Sequence, residues 1–489
     1  MSLKTKAVWG VFWVATSSLG AQLLNMLTTL ILAKLLVPSD FGLIAVANLV
    51  VSIVQIFRDL GLAQALIYRT EEIEEAASTA FFLIVAWGTL LYLATTAAAP
   101  QVASFFGDPS AKPMLQAMVT TLLISSFSIV PSALLEKELE FKKKALPELL
   151  PVVGYALAAT ALAALGMGVW SIVWGRIGQS VLTTILVWIA SGWQLRLYFD
   201  RRIAGEILSY GKHVVGATIL NIVFLYIDNA YVGKLLGTTA LGFYTIAFAL
   251  ANLPMQSATP IIYKVSFPTY VKLREDRGSL ARAYLQSLKL ASLITFPATM
   301  GLTVLAPNLL WVLYADKWAS SVVLVQILSF YGLLRSIGGL PGNVFLAIGK
   351  QHLIPRLMLV YVSAVALLLW PATRWMGTMG TSLAMTSVMA IGTAVGLALA
   401  NHYLDIPLSR LTRTLLPQVI ASAVMVICLL LLNSLFERSL FALVALVATG
   451  AGIYLLSILL ITKGQIYSEV SDVVRALRRG CQGLPRLKL

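Results

Sequence analysis

Charge is scarce in this chain. Of its 489 residues only 12% are Asp, Glu, Lys or Arg, while 59% are hydrophobic; an ordinary soluble domain carries about 25% charged residues. Cysteine is scarcer still. Cys428 lies in an apolar run and Cys481 in a polar tail, which makes no disulfide framework. Three histidines, His213, His352 and His402, stand far apart, so no His/Cys metal cluster is expected. No G-x-x-x-x-G-K-S/T run occurs, which removes the ATP-binding loop of that type. No polar stretch is long enough for a soluble catalytic domain. These shortages argue against a metalloenzyme, a disulfide scaffold and an ATP-driven pump, and neither a metal nor a cofactor is expected.

What is there is apolar, in runs that recur about every 35 residues and reach the roughly 20 residues a spanning helix needs. The reading is an all-α polytopic membrane protein with about fourteen spans. They fall near 10–33, 41–62, 77–99, 114–134, 147–166, 169–190, 208–233, 240–262, 283–306, 320–343, 355–373, 378–400, 414–435 and 440–462. Lys4 and Lys6 precede a first run too long for a signal-peptide core, so it reads as an uncleaved span.

The net charge of +15 sorts by side. With the amino terminus placed inside, only Lys34, Lys112, Lys234, Lys317, Arg374 and Arg438 fall outside, and Arg58, Arg176, Lys289 and Arg335 fall within spans. Every other Lys and Arg falls inside. The positive-inside rule therefore predicts two cytoplasmic termini and accounts for the charge without nucleic acid. The outer acids Asp40, Asp108, Asp316 and Glu437 are scattered, with no pair set for acid–base work.

A repeat runs through the chain. Lys34-Leu35-Leu36 followed by Gly42 matches Lys234-Leu235-Leu236 followed by Gly242 at an offset of 200, and Ile67-Tyr68-Arg69 is similar to Ile262-Tyr263-Lys264. A unit of six spans keeps its orientation, so the halves relate by a pseudo-two-fold along the membrane normal. The expected organisation is a six-helix bundle over 1–205, a second over 206–401, and two further helices with a basic tail over 402–489. In that tail Ile466, Val470, Val473, Val474 and Leu477 share a helical face beside Arg475, Arg478 and Arg479. Such a pattern suits a helix on an anionic leaflet or a disordered basic tail.

Four spans carry polar stripes at helical spacing. The first has Ser18, Gln22, Asn25 and Thr29; the second has Asn48, Ser52, Gln55 and Asp59. The seventh has Thr218, Asn221, Asp228 and Asn229; the eighth has Thr245, Asn252, Gln256 and Thr259. Isolated groups of this kind serve as hydrogen bonds between helices. Matching stripes on the equivalent first hairpins favour a polar cavity, because dry, unpaired amides cost several kcal/mol each, on the order of 2–7. Ionised groups inside spans cost at least about 2.5–3.5 kcal/mol. Arg176 and Arg335 are the foremost candidates for anion contacts, with Arg58 nearer a helix end, and Asp228 and Asp59 are candidates for a coupling ion.

At this point the residues resemble a family. Ile31-Leu32-Ala33-Lys34-Leu35-Leu36 with Pro38 and Asp40-Phe41-Gly42 resembles the opening motif of Wzx-type oligosaccharide flippases. Asp59-Leu60-Gly61-Leu62, Glu136-Lys137-Glu138-Leu139, Gly168-Val169-Trp170-Ser171, Asp228-Asn229, Leu241-Gly242-Phe243-Tyr244, Ala251-Asn252-Leu253-Pro254 and Asp316-Lys317-Trp318 extend the likeness from about residue 7 to at least residue 360. The resemblance implies the multidrug/oligosaccharidyl-lipid/polysaccharide exporter superfamily. It implies two six-helix bundles around a central cavity, often with two extra helices. The implied activity moves polyprenyl-pyrophosphate-linked oligosaccharide from the inner to the outer leaflet of a bacterial inner membrane, with no enzymatic reaction. Relatives often carry a base just before Asp228-Asn229, where this chain has Leu225 and Tyr226, which leaves cationic contacts to Arg58, Arg176 and Arg335.

The expected partners are that lipid-linked oligosaccharide, the bilayer, Na+ or H+ as a coupling ion, and proteins of glycan polymerisation and assembly. Two other readings remain: a cation-coupled antiporter exporting small amphipathic cations, and a non-transporting scaffold of a glycan-assembly complex. An anionic pyrophosphate calls for basic groups and a cationic drug for carboxylates, and the deep charges lean basic.

Overall fold

The computed structural model describes residues 3–59, 62–69 and 71–464. Helix formation is dictated by the environment, since a backbone in hydrocarbon must satisfy its own N–H and C=O groups. The helices are α1 Leu3–Leu35, α2 Pro38–Asp59, α3 Leu62–Tyr68, α4 Ile73–Phe106, α5 Ala111–Lys137, α6 Phe141–Ala164, α7 Trp170–Ser191, α8 Arg201–Ala251, α9 Leu253–Leu273, α10 Arg277–Tyr314, α11 Ser321–Gly338, α12 Leu340–Ala347, α13 Leu353–Tyr403, α14 Leu408–Asn433 and α15 Leu440–Ile461. No strand occurs among the described residues. The expected tail helix over 466–479 lies outside them.

Among the described residues, twelve helical stretches are long and apolar enough to cross a membrane. The fourteen sequence spans become twelve because the seventh and eighth share α8, and the eleventh and twelfth share α13. Each of these helices has 51 residues. Drawn out straight, each would reach about 76 Å, far beyond the roughly 30 Å of hydrocarbon. Both turn back at a glycine: Gly237 at φ 85, ψ 176 and Gly377 at φ 61, ψ −144. A side chain resists such angles. The limbs then pair antiparallel. Tyr244 reaches back to Asp228 at 2.7 Å, Thr373 meets Thr381 at 2.8 Å, and Tyr361 lies against Met389. In each case the partners stand nearly symmetrically about the turning glycine.

The chain forms two compact units, Met1–Thr245 and Ile246–Leu489. In the first, α1 packs on α6, α6 on α7, and α5 on α4, α7 and α2. Small residues permit these approaches, as expected where lipid supplies no hydrophobic drive between helices. Ala76, Ala77, Ser78, Thr79 and Ala80 of α4 are fully buried, and Leu66, Phe81, Ile84, Val130 and Ala133 join them in one core. In the second unit α10 is the central post, touching α9, α11, α14 and α15, while α13 packs on α11 and α12. Asp276 caps α10 by accepting from the Gly278 and Ser279 amides, and Ser439 caps α15 through the Ala442 amide, each satisfying orphan donors of a first turn.

Candidate functional site

In the amino-terminal unit, α1 separates two faces. Leu19, Leu23, Leu27 and Ile31 form an exposed apolar ridge, while Gln22, Asn25 and Thr29 are half-buried. Asn25 donates to the Ala21 carbonyl at 2.9 Å, and its Oδ1 is buried with no partner among the described residues. On α2 the division is sharper. Val46, Leu49 and Ile56 are buried, whereas Asn48 and Gln55 are exposed and Ser52 is half-exposed. An amide cannot face hydrocarbon at low cost, so this stripe is the face of α2 that calls for water or polar partners.

The charged candidates have distinct surroundings. Arg58 is 4% exposed and donates from α2 to the Leu122 carbonyl of α5 at 3.4 Å and to the Ser125 hydroxyl. Its guanidinium is committed to tying α2 to α5. Arg176 of α7 stacks over the Tyr155 ring of α6 at 4.1 Å and donates to Gln179 Oε1 at 2.9 Å, which holds the planar fork in place while it stays half-exposed. Asp228 is 1% exposed. It accepts from the Tyr244 hydroxyl at 2.7 Å and from the Asn229 amide at 2.8 Å. Tyr226, two residues before it in α8, receives a bond from Ser52 at 3.0 Å. The side chains of Asp59 and Asn221 lie outside the described residues.

In the carboxy-terminal unit, Asn252 occupies the break between α8 and α9. It is 1% exposed and bonds its own Phe248 carbonyl at 2.8 Å, leaving Oδ1 without a partner among the described residues. Gln256 is exposed, and Thr259 meets Ser336 at 2.9 Å. Arg335, near the end of α11, is half-buried. Among the described residues no group of His, Cys, Asp and Glu could hold a metal ion.

Sequence reasoning missed two features. One is tyrosine: Tyr155, Tyr226 and Tyr244 dress the polar candidates, and the only signal was their place within the polar stripes or beside them on packed helices. The other is an apolar groove of about 530 Å³, lined by Leu253 and Pro254 of α9, Leu293, Pro297 and Gly301 of α10, Met425 of α14, and Leu446, Gly450 and Tyr454 of α15. Helices α14 and α15, the two further helices expected beyond the second bundle, form one wall of it.

Solved structures share this architecture. The lipid II flippase MurJ, in an inward closed conformation, aligns with a TM-score of 0.74 at 14% identity, over 93% of this chain and all of that one. An inward-facing multidrug resistance MATE transporter of the MOP superfamily aligns at 0.62 and 15% identity, over 81% of this chain and 96% of that one. Among characterised sequences, the lipopolysaccharide biosynthesis protein WzxC of Escherichia coli is 24% identical over 349 residues, 71% of each chain. The teichuronic acid biosynthesis protein TuaB of Bacillus subtilis is 23% identical over 358 residues, 72% of this chain and 73% of TuaB. These findings agree with the resemblance read from the motifs. Residues 31–323 match the family described as polysaccharide biosynthesis protein, and the chain belongs to that family.

Proposed function

We propose that this protein is a flippase of the bacterial inner membrane. It moves polyprenyl-pyrophosphate-linked oligosaccharide from the inner to the outer leaflet by alternating access, for assembly of a cell-surface polysaccharide. The observation that carries this reading is the exposed polar stripe of α2, Asn48, Ser52 and Gln55, inside a membrane span. A sugar needs such a surface to cross hydrocarbon. Its hydroxyls would exchange water for Gln22, Asn25, Gln55, Asn221, Asn229, Asn252 and Gln256. Arg176 and Arg335 would meet the pyrophosphate or an acidic sugar, for which guanidinium forks are suited. The apolar groove against α14 and α15 would take the polyprenyl tail, since its lining offers almost no polar atom. Residues 1–205 and 206–401 would be the moving halves, in the manner of repeat-built transporters. An inside-negative potential favours outward movement of the anion by about 2.3 kcal/mol per charge per 100 mV, and Asp228 or Asp59 would bind a coupling Na+ or H+.

The test is reconstitution of the purified protein in liposomes with a defined polyprenyl-pyrophosphate-linked oligosaccharide, followed by a leaflet-accessibility assay. Protein-dependent exposure of the sugar is expected. No exposure, together with efflux of a small amphipathic cation, would instead favour the antiporter reading.

A further inference from the structure

Tyr263 of α9 governs the backbone that carries Arg335. Helix α11 ends at Gly338 and α12 begins at Leu340-Pro341. Pro341 has no N–H to give to the Ile337 carbonyl one turn earlier, and the Gly339 amide bonds that carbonyl instead. The Arg335 and Ser336 carbonyls belong to the last turn of α11, where a helix leaves its carbonyls short of intrahelical donors. The Tyr263 hydroxyl shares its one proton between them, lying 2.9 Å from the Ser336 carbonyl and 3.3 Å from the Arg335 carbonyl. Gly339 makes the approach possible, because a Cβ there would lie 2.1 Å from Tyr263 Oη. The tyrosine is itself fixed. Asn343 of α12 donates to its carbonyl at 3.2 Å, and one turn earlier Thr259 is joined to Ser336 at 2.9 Å. Arg335 is thus attached to a turn whose end is held from another helix. Its half-buried side chain makes no ion pair among the described residues.

We propose that Tyr263 is a positioning residue. Its hydroxyl fixes the last turn of α11 and, through that turn, the direction in which the Arg335 guanidinium meets an oxyanion. The functional half of this inference rests on the reading that Arg335 contacts the pyrophosphate. The structural half stands by itself.

Two measurements on the full chain in lipid nanodiscs separate them. In a background lacking Cys428 and Cys481, Arg335→Cys and, as a control two turns earlier, Gln326→Cys are labelled with a water-soluble methanethiosulfonate, with and without Tyr263→Phe. Tyr263→Phe should change the labelling rate at position 335 about threefold or more and leave position 326 unchanged, in line with loss of one hydrogen bond. No change at 335, or an equal change at both, overturns the proposal. Binding of farnesyl pyrophosphate is then measured in a double-mutant cycle. Tyr263→Phe should weaken it about threefold to tenfold when Arg335 is present and have little effect in an Arg335→Ala background. Equal loss in both backgrounds overturns positioning. Wild-type binding by Arg335→Ala alone removes the anion role from Arg335, while the labelling result still decides what Tyr263 does.

Discussion

Gly42 and Gly242, the glycines of the sequence repeat, lie against each other's helices in a reciprocal contact. A Cβ on Gly42 would lie 1.7 Å from the Thr238 carbonyl oxygen, and a Cβ on Gly242 would lie 1.8 Å from the Pro38 carbonyl oxygen. Pro38 and Thr238 are themselves repeat partners, so each glycine meets the residue that precedes its own counterpart by one helical turn. Reciprocity of this kind is the signature of a two-fold relation. The obstruction is backbone in both directions, which cannot swing aside as a side chain can.

Gly42→Ala and Gly242→Ala should each therefore cost about 1–3 kcal/mol, the usual range for overpacking, and lower the thermal midpoint in detergent. Gly178→Ala is the control, because a Cβ there meets nothing within 4 Å. Equal midpoints for all three variants would show that α2 and the second limb of α8 separate freely.

Much of this architecture is readable in one dimension. Hydropathy sets span length, and the Lys-Leu-Leu and Gly matches at Gly42 and Gly242 disclosed a relation that the structure realises as contact. The polar stripe of α2 was legible for the same reason, since Asn48, Ser52 and Gln55 follow the helical period. What escaped depends on separations that no local pattern encodes. Arg58 is committed to α5 through Leu122 and Ser125, dozens of residues away. Tyr244 reaches Asp228 only because Gly237 reverses the chain. The groove along α14 and α15 is apolar against apolar, so hydropathy has no contrast by which to reveal it.

Arg335→Ala and Arg176→Ala should each reduce transport of the pyrophosphate-linked substrate about tenfold or more, as expected for loss of a charge-assisted hydrogen bond. Lysine should rescue the two positions unequally. Arg335→Lys keeps a charge at a site with no ring stacked on the guanidinium among the described residues, and partial recovery is expected. Arg176→Lys loses both the planar stack on Tyr155 and the bond to Gln179, so its recovery should be poorer. The measurement is initial flipping rate at matched protein insertion, and wild-type rates for both alanine variants would remove these arginines from anion recognition.

The groove offers a test by filling. Gly301 sits on its wall with Met425 Cε as the nearest atom to a built Cβ, 3.8 Å away. Gly301→Leu therefore places bulk in the groove without meeting backbone. Competition binding should show several-fold weaker affinity for a long-chain polyprenyl pyrophosphate, with inorganic pyrophosphate binding unchanged. Equal weakening of both would point to a disturbed fold rather than an occupied tail site.

Sidedness follows from the distribution of basic residues. Lys143, between the fourth and fifth spans, is exposed at the start of α6, and Lys112, between the third and fourth, is exposed at the start of α5. Lys143→Cys should label with an impermeant maleimide only when the cytoplasmic face is open to it, and Lys112→Cys from intact spheroplasts. Labelling of both from one side would refute the orientation.

The last prediction concerns acid. At one end of the amino-terminal unit, Arg69 pairs with Glu72 at 2.9 Å and with Glu206 at 2.7 Å, and Arg202 pairs with Glu72 at 2.7 Å and with Glu206 at 3.3 Å. The four side chains tie the segment before α4 to the first two turns of α8. The hydrogen bond from Arg202, aided by Arg69, holds the Glu72 carboxyl below its ordinary value. A carboxyl with a lowered folded-state pKa binds fewer protons folded than unfolded. Its contribution is complete above the ordinary carboxylate value, about 4.3, and disappears as pH falls through the lower, folded value. Protection from hydrogen exchange over residues 201–206, taken relative to the intrinsic rate at each pH, should therefore be constant from neutral pH down to about pH 5 and should fall below about pH 4. Glu72→Gln should give faster exchange at neutral pH and lose the extra acid-dependent step. Because Glu72, Arg202 and Glu206 are solvated, added salt should act in the same direction as acid. An acid step that persists unchanged in Glu72→Gln would assign it to another carboxyl, with the Asp276 cap of α10, also held low by its bonds to Ser279, the next group to test.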